Sequence, residues 1–324
     1  MDLAHIGRPV ERHLKEFRKF FRDSMRSRIL LLDIVVRYIL RRKGKQVRPM
    51  LVLLAADAAG GISQRSYVAA AMVELLHTAT LIHDDVVDEA DERRGFPSIN
   101  AVWKNKIAIL VGDYLLSRGL LVAVENDEFG FLKISSDTVR RMSEGELLQM
   151  QKSRKLDIQE EEYFRIISDK TASLIGACCE LGAFSATDDA DIRTALRSYG
   201  EHVGIAFQIR DDVFDYVSSS ASIGKPTGND LKERKLTLPL IYAMSRAPRT
   251  ESRKILSLIR KGRDSAERSR AVREFVTHHG GLDYAERRAV EYCDQARQAI
   301  AGFADSPAKR SLLDFVDFAL KRNA

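Results

Sequence analysis

The sequence predicts an all-α protein folded as one large helical bundle, and three observations support this fold class. Apolar residues recur at helical spacing through most of the 324 residues, whereas the alternating pattern of half-buried strands is scarce. Proline is also rare: between Leu51 and Gly224 the chain has only Pro97, so long uninterrupted helices are possible there. Length alone allows one large domain or two ordinary ones. Because no break is long enough to be a linker, we expect a single domain over residues 1–324.

The individual helices are predicted from continuous apolar periodicity, and glycine and proline signals separate them. The first two helices precede Gly44, the third ends before Gly60-Gly61, and the fourth ends before the segment 94–97. A loop rich in Ser, Gly and Pro over residues 218–228 follows a long apolar helix. The predicted helices span residues 10–23, 27–41, 49–58, 64–89, 106–125, 128–153, 159–184, 188–217, 230–245, 251–261 and 281–302.

Composition and charge narrow the classes of function. Hydrophobic residues make up 45% of the chain, which suffices for a sizeable core. The net charge of +6 favours anionic partners, and nucleic acid, a membrane surface and phosphorylated metabolites all qualify. A basic nucleic-acid binder would carry few acidic residues on its basic face, but here 46 acidic residues offset 52 basic ones and the acids cluster on apolar helices. We therefore expect no nucleic-acid partner.

Cysteine usage and the apolar runs favour a cytoplasmic protein without an integral membrane segment. The three cysteines have neither the even count nor the spacing of a disulfide framework or a zinc site, which suits a reducing compartment. The N-terminal region is studded with charge and lacks the apolar core of a signal peptide. The best apolar runs, 29–36 and 107–116, are interrupted by Asp33 and Asp113 and are too short to cross a bilayer.

A short acidic pattern occurs twice, 127 positions apart (211 minus 84), each time on an apolar helix. The first and last aspartates of each copy are four residues apart, so they share one helix face with Cβ atoms roughly 5–6 Å apart. Carboxylates beside apolar residues are costly unless cations compensate them. The two copies are the first aspartate cluster, Asp84, Asp85 and Asp88, and the second aspartate cluster, Asp211, Asp212 and Asp215.

Oxygen ligands of this kind select a hard cation such as Mg²⁺. Two clusters facing each other across a bundle would hold a site of roughly two or three metal ions over a diphosphate. The alternative is that each cluster is an acidic helix end in solvent. Two copies with identical spacing disfavour that alternative.

The residues around the two clusters resemble the trans-isoprenyl diphosphate synthases, from about residue 44 to residue 242. The first cluster lies in Leu76-His77-Thr78-Ala79-Thr80-Leu81-Ile82-His83-Asp84-Asp85 and is followed by Asp91-Glu92-Arg93-Arg94-Gly95. The second has Phe207-Gln208 before it and Gly224-Lys225 after it. The resemblance implies a helical bundle of the isoprenoid synthase type around a central active-site cavity. It also implies a homodimer and a magnesium-dependent prenyltransferase that joins isopentenyl diphosphate to an allylic prenyl diphosphate.

Basic residues stand where that resemblance requires diphosphate ligands. Lys45 and Arg48 are expected in a loop just before a helix whose first position is Pro49, and a helix N-terminus is a ready anion site. His77 lies seven residues before Asp84 and therefore shares its helix face. The alternatives are a solvated basic stretch and a satisfied core histidine. The resemblance assigns isopentenyl diphosphate to Lys45, Arg48, His77 and Arg94, and the allylic diphosphate to Arg93, Lys170, Thr171, Gln208, Lys225 and Lys235.

The resemblance also implies which residues carry the chemistry. All six aspartates of the two clusters are expected to bind Mg²⁺, and the catalytic residues are expected to be Asp84, Asp88, Asp211, Lys170 and Lys225. The allylic carbon–oxygen bond ionises, the double bond of isopentenyl diphosphate attacks, and a proton is lost. Many relatives have a glycine where this chain has Arg234, which makes the match of the neighbouring Lys235 looser.

Product length is expected to depend on the residues just before the first cluster. In the family, a bulky aromatic residue four or five positions before the first aspartate stops growth early. Here Thr80 and Ala79 are small and the next turn, with Leu75 and Leu76, is aliphatic, which favours a medium or long all-trans product. Three alternatives remain open: a short-chain farnesyl or geranylgeranyl diphosphate synthase, a terpene cyclase on the same fold, and a non-catalytic partner subunit.

Overall fold

The protein is helical almost throughout the part that this computed structural model describes, as expected for an all-α fold. Contacts divide the chain into two compact units. The expectation of a single domain stays a prediction. Unit 1 comprises Met1–Asp137, Ala177–Arg197 and Gly302–Asp314, and unit 2 comprises Thr138–Gly176, Ser198–Ala301 and Phe315–Ala324. The described residues are 2–41, 45–93, 95–217, 235–260 and 266–321.

Unit 1 is built around two long helices, α5 and α6, which pack along each other. Helices α2 and α4 pack on α5, and the fully buried residues of α4 and α5 form much of the core of this unit. The helices that lie wholly in unit 1 are α1 (Leu3–Ile6), a short 3₁₀ helix (Arg8–Val10), α2 (Glu11–Ser24), α3 (Leu30–Arg41), α4 (Val47–Ala59), α5 (Gln64–Val87) and α6 (Ile99–Val124).

A two-stranded hairpin links α5 to α6 where the sequence predicted only a break. Strands β1 (Glu92–Arg93) and β2 (Phe96–Pro97) pair antiparallel, with Arg93 opposite Phe96. Ser98 then caps α6: its Oγ accepts the Ala101 N–H at 3.2 Å and donates to the Ala90 carbonyl at 2.6 Å. The hairpin therefore returns the chain to the end of α5, beside the first aspartate cluster.

Helix α6 is longer than predicted and contains a kink. It begins at Ile99 instead of residue 106, and Lys104 has non-helical dihedral angles (φ 71°, ψ 161°) inside it. By length and composition α6 could cross a membrane, contrary to the expectation that its apolar run is too short. The helix packs along α5, as the core helix of a globular protein does.

Four helices contribute residues to both units because the boundaries fall within them. These are α7 (Phe129–Lys155), α9 (Ser173–Phe184), α10 (Ala190–Val217) and α15 (Pro307–Lys321). A π-helical segment, Ser168–Ala172, joins α8 to α9 inside the stretch that was predicted as one continuous helix. The helices confined to unit 2 are α8 (Glu160–Ile167), α11 (Leu238–Arg246), α12 (Arg249–Arg260), α13 (Ala266–His278) and α14 (Gly281–Ala299).

The core of unit 2 lies where α11 packs on α13 and α14. Its buried residues come from one face of each helix, as amphipathic helices require. Side chains of α8 and α10 belong to the same core. The helix that carries the second aspartate cluster, α10, is therefore anchored in this core. Members of this core include Ile209, Val213, Leu238, Leu240, Val276, Ala285 and Ala289.

Candidate active site

The first aspartate cluster lies at the C-terminal end of α5 in unit 1. Asp84 and Asp88 are exposed and one helical turn apart, and the Asp88 N–H donates to the Asp84 carbonyl at 2.8 Å. Asp85 differs: it is only 2% exposed, and its Oδ1 accepts a hydrogen bond from Arg93 Nε at 2.5 Å. A buried carboxylate needs such a partner, because removing its charge from water is otherwise costly. The hairpin supplies that partner by folding Arg93 back onto α5.

Three of the residues expected to hold isopentenyl diphosphate lie in or just before α4 and α5 of unit 1. Lys45 is exposed just before α4, and Arg48 lies in the first turn of that helix. Between them, Gln46 adopts a left-handed conformation (φ 50°), and its side-chain oxygen accepts a hydrogen bond from Arg18 at 3.0 Å. His77 is buried on α5. Arg94, assigned to the same substrate, lies outside the described residues.

Unit 2 contains a cavity of about 100 Å³ that brings several predicted site residues together. Lys225, assigned to the allylic diphosphate, lies outside the described residues. The cavity is lined by residues from the π-helical segment, from α10 and from the chain that precedes α11. The predicted residues that line it are Lys170, Thr171, Gln208, Asp212 and Lys235.

A hydrogen-bond network fixes the buried aspartate of the second cluster. Thr171 Oγ1 donates to Gln208 Oε1 at 3.0 Å, and Gln208 Nε2 donates to Asp212 Oδ1 at 2.9 Å. Tyr163 donates its hydroxyl to the other oxygen, Asp212 Oδ2, at 2.6 Å. Asp212 is 5% exposed and both of its oxygens accept protein donors, whereas Asp211 and Asp215 lie at half-buried positions of α10. The network ties the Thr171 end of the π segment to α10.

Lys170 is held by two residues that the sequence did not predict. Its Nζ lies 2.5 Å from Glu146 Oε2 and 3.0 Å from Gln149 Oε1, both on α7. Gln149 and Tyr163 line the same cavity. One signal was available: Tyr163 stands seven residues before Lys170, which is two helical turns and so the same face. No spacing rule points to Glu146 or Gln149, because they belong to another helix.

The donor set fits Mg²⁺ more closely than a softer metal. Within the described ranges, no group of three or more His, Cys, Asp and Glu side chains is arranged to hold a metal ion. Mg²⁺ does not require such a group, since it commonly takes one or two carboxylates and completes its shell with waters and substrate phosphates. Asp85 and Asp212 are buried, whereas the first and last aspartates of each cluster are exposed or half-buried and are therefore the more accessible oxygen ligands.

Known proteins are similar in sequence to this chain along nearly its whole length. The model of the polyprenyl synthetase family matches residues 30–276. An all-trans-nonaprenyl-diphosphate synthase (geranyl-diphosphate specific) from Rhodobacter capsulatus is 38% identical over 317 residues, which are 97% of this chain and 96% of that protein. A short chain isoprenyl diphosphate synthase from Methanothermobacter thermautotrophicus is 35% identical over 289 residues, which are 88% of each chain.

Solved structures share the fold. A decaprenyl diphosphate synthase from Rhodobacter capsulatus superposes with a TM-score of 0.92 and 35% identity, with 99% of both chains covered. A polyprenyl synthase from Caulobacter crescentus, complexed with calcium and isoprenyl diphosphate, has a TM-score of 0.90 and 34% identity, covering 100% of this chain and 98% of that one. These likenesses confirm the all-α fold and the resemblance drawn from the two aspartate clusters. The chain belongs to the polyprenyl synthetase family of prenyltransferases.

Proposed function

We propose that this prenyltransferase condenses isopentenyl diphosphate with an allylic prenyl diphosphate and releases a medium or long all-trans polyprenyl diphosphate. The observation that carries the proposal is the cavity of unit 2, where Lys170, Thr171, Gln208 and Lys235 converge beside the second aspartate cluster. Cationic and hydroxyl donors around one cavity suit a diphosphate, because charge-assisted hydrogen bonds to phosphate oxygens are the strong ones.

Each group of residues has a distinct task in this reaction. Lys170, Thr171, Lys225 and Lys235 would bind the allylic diphosphate and stabilise the charge that develops as its carbon–oxygen bond breaks. Arg93 is assigned to the same diphosphate, and Gln208 orients Thr171 through their hydrogen bond. The residues assigned to isopentenyl diphosphate, which would hold its double bond against the allylic carbon, are Lys45, Arg48, His77 and Arg94.

Roughly two or three Mg²⁺ ions, when bound, would neutralise the departing diphosphate. Asp84, Asp88 and Asp211 are the proposed principal ligands, with Asp85, Asp212 and Asp215 in the same clusters. One carbon–oxygen bond breaks, one carbon–carbon bond forms, and the proton lost from the isopentenyl unit passes to the released pyrophosphate. Water must be excluded throughout, because it would capture the allylic cation.

Four features support a medium or long product. Ala79 is small and buried, Thr80 is small, and Leu75 and Leu76 one turn deeper are buried aliphatic residues, so no bulky aromatic residue stands four or five positions before Asp84. The nonaprenyl and decaprenyl relatives agree with this length. The short-chain relative keeps a farnesyl or geranylgeranyl product as the second candidate.

We also propose that the enzyme is a cytoplasmic homodimer formed from a single polyprenyl synthetase domain. Helix α6 supports the dimer, since it exposes apolar side chains such as Ile109, Leu110 and Leu121 in unit 1. Exposed apolar residues along one helix are typical of a surface that a second subunit covers.

Product analysis tests the proposed reaction directly. Purified protein is incubated with Mg²⁺, labelled isopentenyl diphosphate and allylic starters of several lengths, and the dephosphorylated products are sized. We expect label in chains longer than fifteen carbons. A product that stops at fifteen carbons refutes the long-chain assignment alone, whereas no labelled allylic product from any starter refutes the reaction.

Aspartate substitutions test the metal assignment. Asp84→Ala and Asp211→Ala should each lower turnover by at least about 10²-fold, the loss typical of removing one preorganised electrostatic contact. Asp191→Ala is the matched control, because Asp191 is an exposed aspartate at the other end of α10. Circular dichroism checks that every variant is folded. Full activity in both cluster variants would show that the metals bind elsewhere.

A further inference from the structure

The π-helical segment Ser168–Ala172 is an unusual piece of backbone that carries two site residues. The Ser173 N–H donates to the Ser168 carbonyl, five residues back, which is the spacing of a π turn. Such turns are rare and occur frequently at functional sites. Lys170 and Thr171 both lie in this segment and both line the cavity of unit 2. Contacts from outside the segment are therefore needed to keep it from relaxing into a regular α-helix.

Arg141 of α7 makes such contacts with its whole guanidinium group. Its Nε donates to Asp169 Oδ1 at 2.9 Å and its Nη2 to Ser168 Oγ at 3.2 Å, so it binds two consecutive residues of the π segment. Its Nη1 donates to Glu201 Oε1 on α10 at 2.6 Å. The side chains of Arg141, Asp169 and Glu201 are only 17%, 15% and 24% exposed, so solvent screens these pairs weakly. One side chain thus ties the segment to two helices.

The guanidinium of Arg141 stays protonated among these partners. Burial alone would lower the pKa of Arg141, but its hydrogen bonds to Glu201 and Asp169 outweigh burial and raise the pKa. Without the guanidinium, Asp169 would still pair with the exposed Arg165, whose Nε lies 3.8 Å from Asp169 Oδ2. Asp169 and Glu201 would nevertheless lose the cation that they share, and like charges repel. Loss of Arg141 would therefore add repulsion between these carboxylates to the loss of three hydrogen bonds.

Close backbone packing beside Arg141 limits how the segment can move. A Cβ on Gly145, one turn after Arg141, would lie 3.0 Å from the Lys170 backbone nitrogen. A Cβ on Gly204, three residues after Glu201, would lie 2.6 Å from Ala172 Cα. Helices α7 and α10 therefore lie directly against the backbone of the segment at Lys170 and Ala172. Arg141 binds the N-terminal end of the segment, at Ser168 and Asp169.

We propose that Arg141 is a positioning residue: it holds the π-helical segment in the conformation that presents Lys170 and Thr171 to the allylic diphosphate. This inference rests on the proposed function, since that function supplies the diphosphate. Arg141 is not among the residues that line the cavity, so we expect its effect to reach the reaction through the segment. A lysine cannot replace it, because a single ammonium group cannot match a planar fork that binds three acceptors.

The test compares Arg141→Met with Arg140→Met. Arg140 is the adjacent residue on α7, is 57% exposed and pairs within its own helix with Glu144, so it controls for losing one arginine from this helix. For Arg141→Met we expect the KM for the allylic diphosphate to rise about tenfold, as when charge-assisted hydrogen bonds lose their geometry. The KM for isopentenyl diphosphate should stay within about twofold, since Arg141 binds Ser168, Asp169 and Glu201, none of which is assigned to that substrate.

Two further measurements do not depend on turnover. Hydrogen exchange of the peptide 166–174 should be faster in Arg141→Met and unchanged in Arg140→Met, because Arg141 binds Ser168 and Asp169 whereas Arg140 pairs with Glu144 on its own helix. Calorimetric titration with inorganic pyrophosphate and Mg²⁺ should show weaker binding to Arg141→Met. Arg141→Lys should resemble Arg141→Met more than the wild type.

The outcomes separate this inference from the proposed function. If the wild type and Arg140→Met form no labelled product, the proposed reaction is refuted, whereas the exchange of peptide 166–174 still tests the hold on the segment. If the wild type is active but folded Arg141→Met keeps its allylic KM, or if both KM values rise equally, the positioning role is refuted. Should Arg141→Met fail to fold, Asp169→Asn takes its place with the same expected results, since it weakens the contact and leaves the Arg141–Glu201 pair intact.

Discussion

The hydroxyl of Tyr163 offers a direct test of how the second aspartate cluster is held. Tyr163 and Asp212 are 3% and 5% exposed, and the phenol oxygen lies 2.6 Å from Asp212 Oδ2. Tyr163→Phe keeps the ring and removes only the donor. Asp212 then retains Gln208 Nε2, 2.9 Å from its other oxygen. The substitution thus isolates one charge-assisted hydrogen bond.

The expected magnitude follows from the charge of the acceptor. A hydrogen bond to a charged group contributes about 1.5–3 kcal/mol to stability, whereas a neutral one contributes about 1 kcal/mol. Tyr216→Phe is the matched control, because Tyr216 is also 3% exposed and its hydroxyl lies 3.1 Å from the neutral Thr237 Oγ1. We expect Tyr163→Phe to lower the free energy of unfolding by about 2 kcal/mol and Tyr216→Phe by about 1 kcal/mol.

Urea unfolding followed by circular dichroism measures both losses, provided that the slopes of the transitions agree. A double-mutant cycle with Asp212→Asn then assigns the effect to the contact, because residues that share one hydrogen bond are not additive. If Tyr163→Phe loses no more stability than Tyr216→Phe, or if its effect adds fully to that of Asp212→Asn, the carboxylate is not held by this phenol.

Three further predictions follow from packing, burial and metal binding. A Cβ on Gly182 would lie 2.2 Å from the Val52 carbonyl oxygen, so Gly182→Ala should destabilise the protein by about 1–3 kcal/mol in thermal melts. A Cβ on Gly302 would meet no atom within 4 Å, so Gly302→Ala is the control and should be neutral. Equal melting temperatures of the two variants would refute this prediction. Burial raises the pKa of Cys178 to about 12 and that of Cys293 to about 11, so a thiol reagent at pH 8 should modify neither before unfolding; rapid modification of the native protein would show that they are accessible. Chelation of Mg²⁺ should abolish turnover, and added Mg²⁺ should restore it; turnover that persists in excess chelator would contradict a metal requirement.

The helices that carry the aspartate clusters could be predicted because local spacing determines them. The helix expected over 64–89 is Gln64–Val87, and that expected over 188–217 is Ala190–Val217. Apolar periodicity is continuous in both, so a helix prediction needs no information from the rest of the fold. The four-residue spacing then placed Asp84 and Asp88 one turn apart, as observed.

Besides the four-residue α1, two longer helices were missed, α13 and α15. Helix α15 begins at Pro307 and buries Leu312, Phe315, Val316 and Ala319, a helical spacing that could have been predicted. Helix α13 buries Val272, Phe275 and Val276 among many charged residues. Three apolar residues in one stretch are too few to establish a period. Their burial depends on α11 and α14, which pack against α13, and that is tertiary information. The start of the helix predicted over 230–245 lies outside the described residues.

The different surroundings of the aspartates within one cluster could be predicted only in part. A residue that follows Asp84 is turned about 100° around the helix, so spacing alone separates Asp85 from the face of Asp84 and Asp88. Spacing does not say where that second face points. Asp85 is buried because the hairpin brings Arg93 back onto α5, and this contact crosses a turn that the sequence indicated only as a break.

The π-helical segment shows why the cavity itself required the structure. Consecutive residues of a regular helix point about 100° apart, yet Ile166 and Ile167 of α8 both line the cavity, so spacing alone does not decide which side chains reach it. Lys170 and Thr171 line it from a segment whose backbone departs from α-helical geometry. Such a departure is invisible to a method that assumes a constant period, and the side chain that stabilises it, Arg141, is remote in sequence. Since local rules are broken mainly where function demands it, the failure of periodicity at residues 168–172 is itself an argument that this segment belongs to the active site.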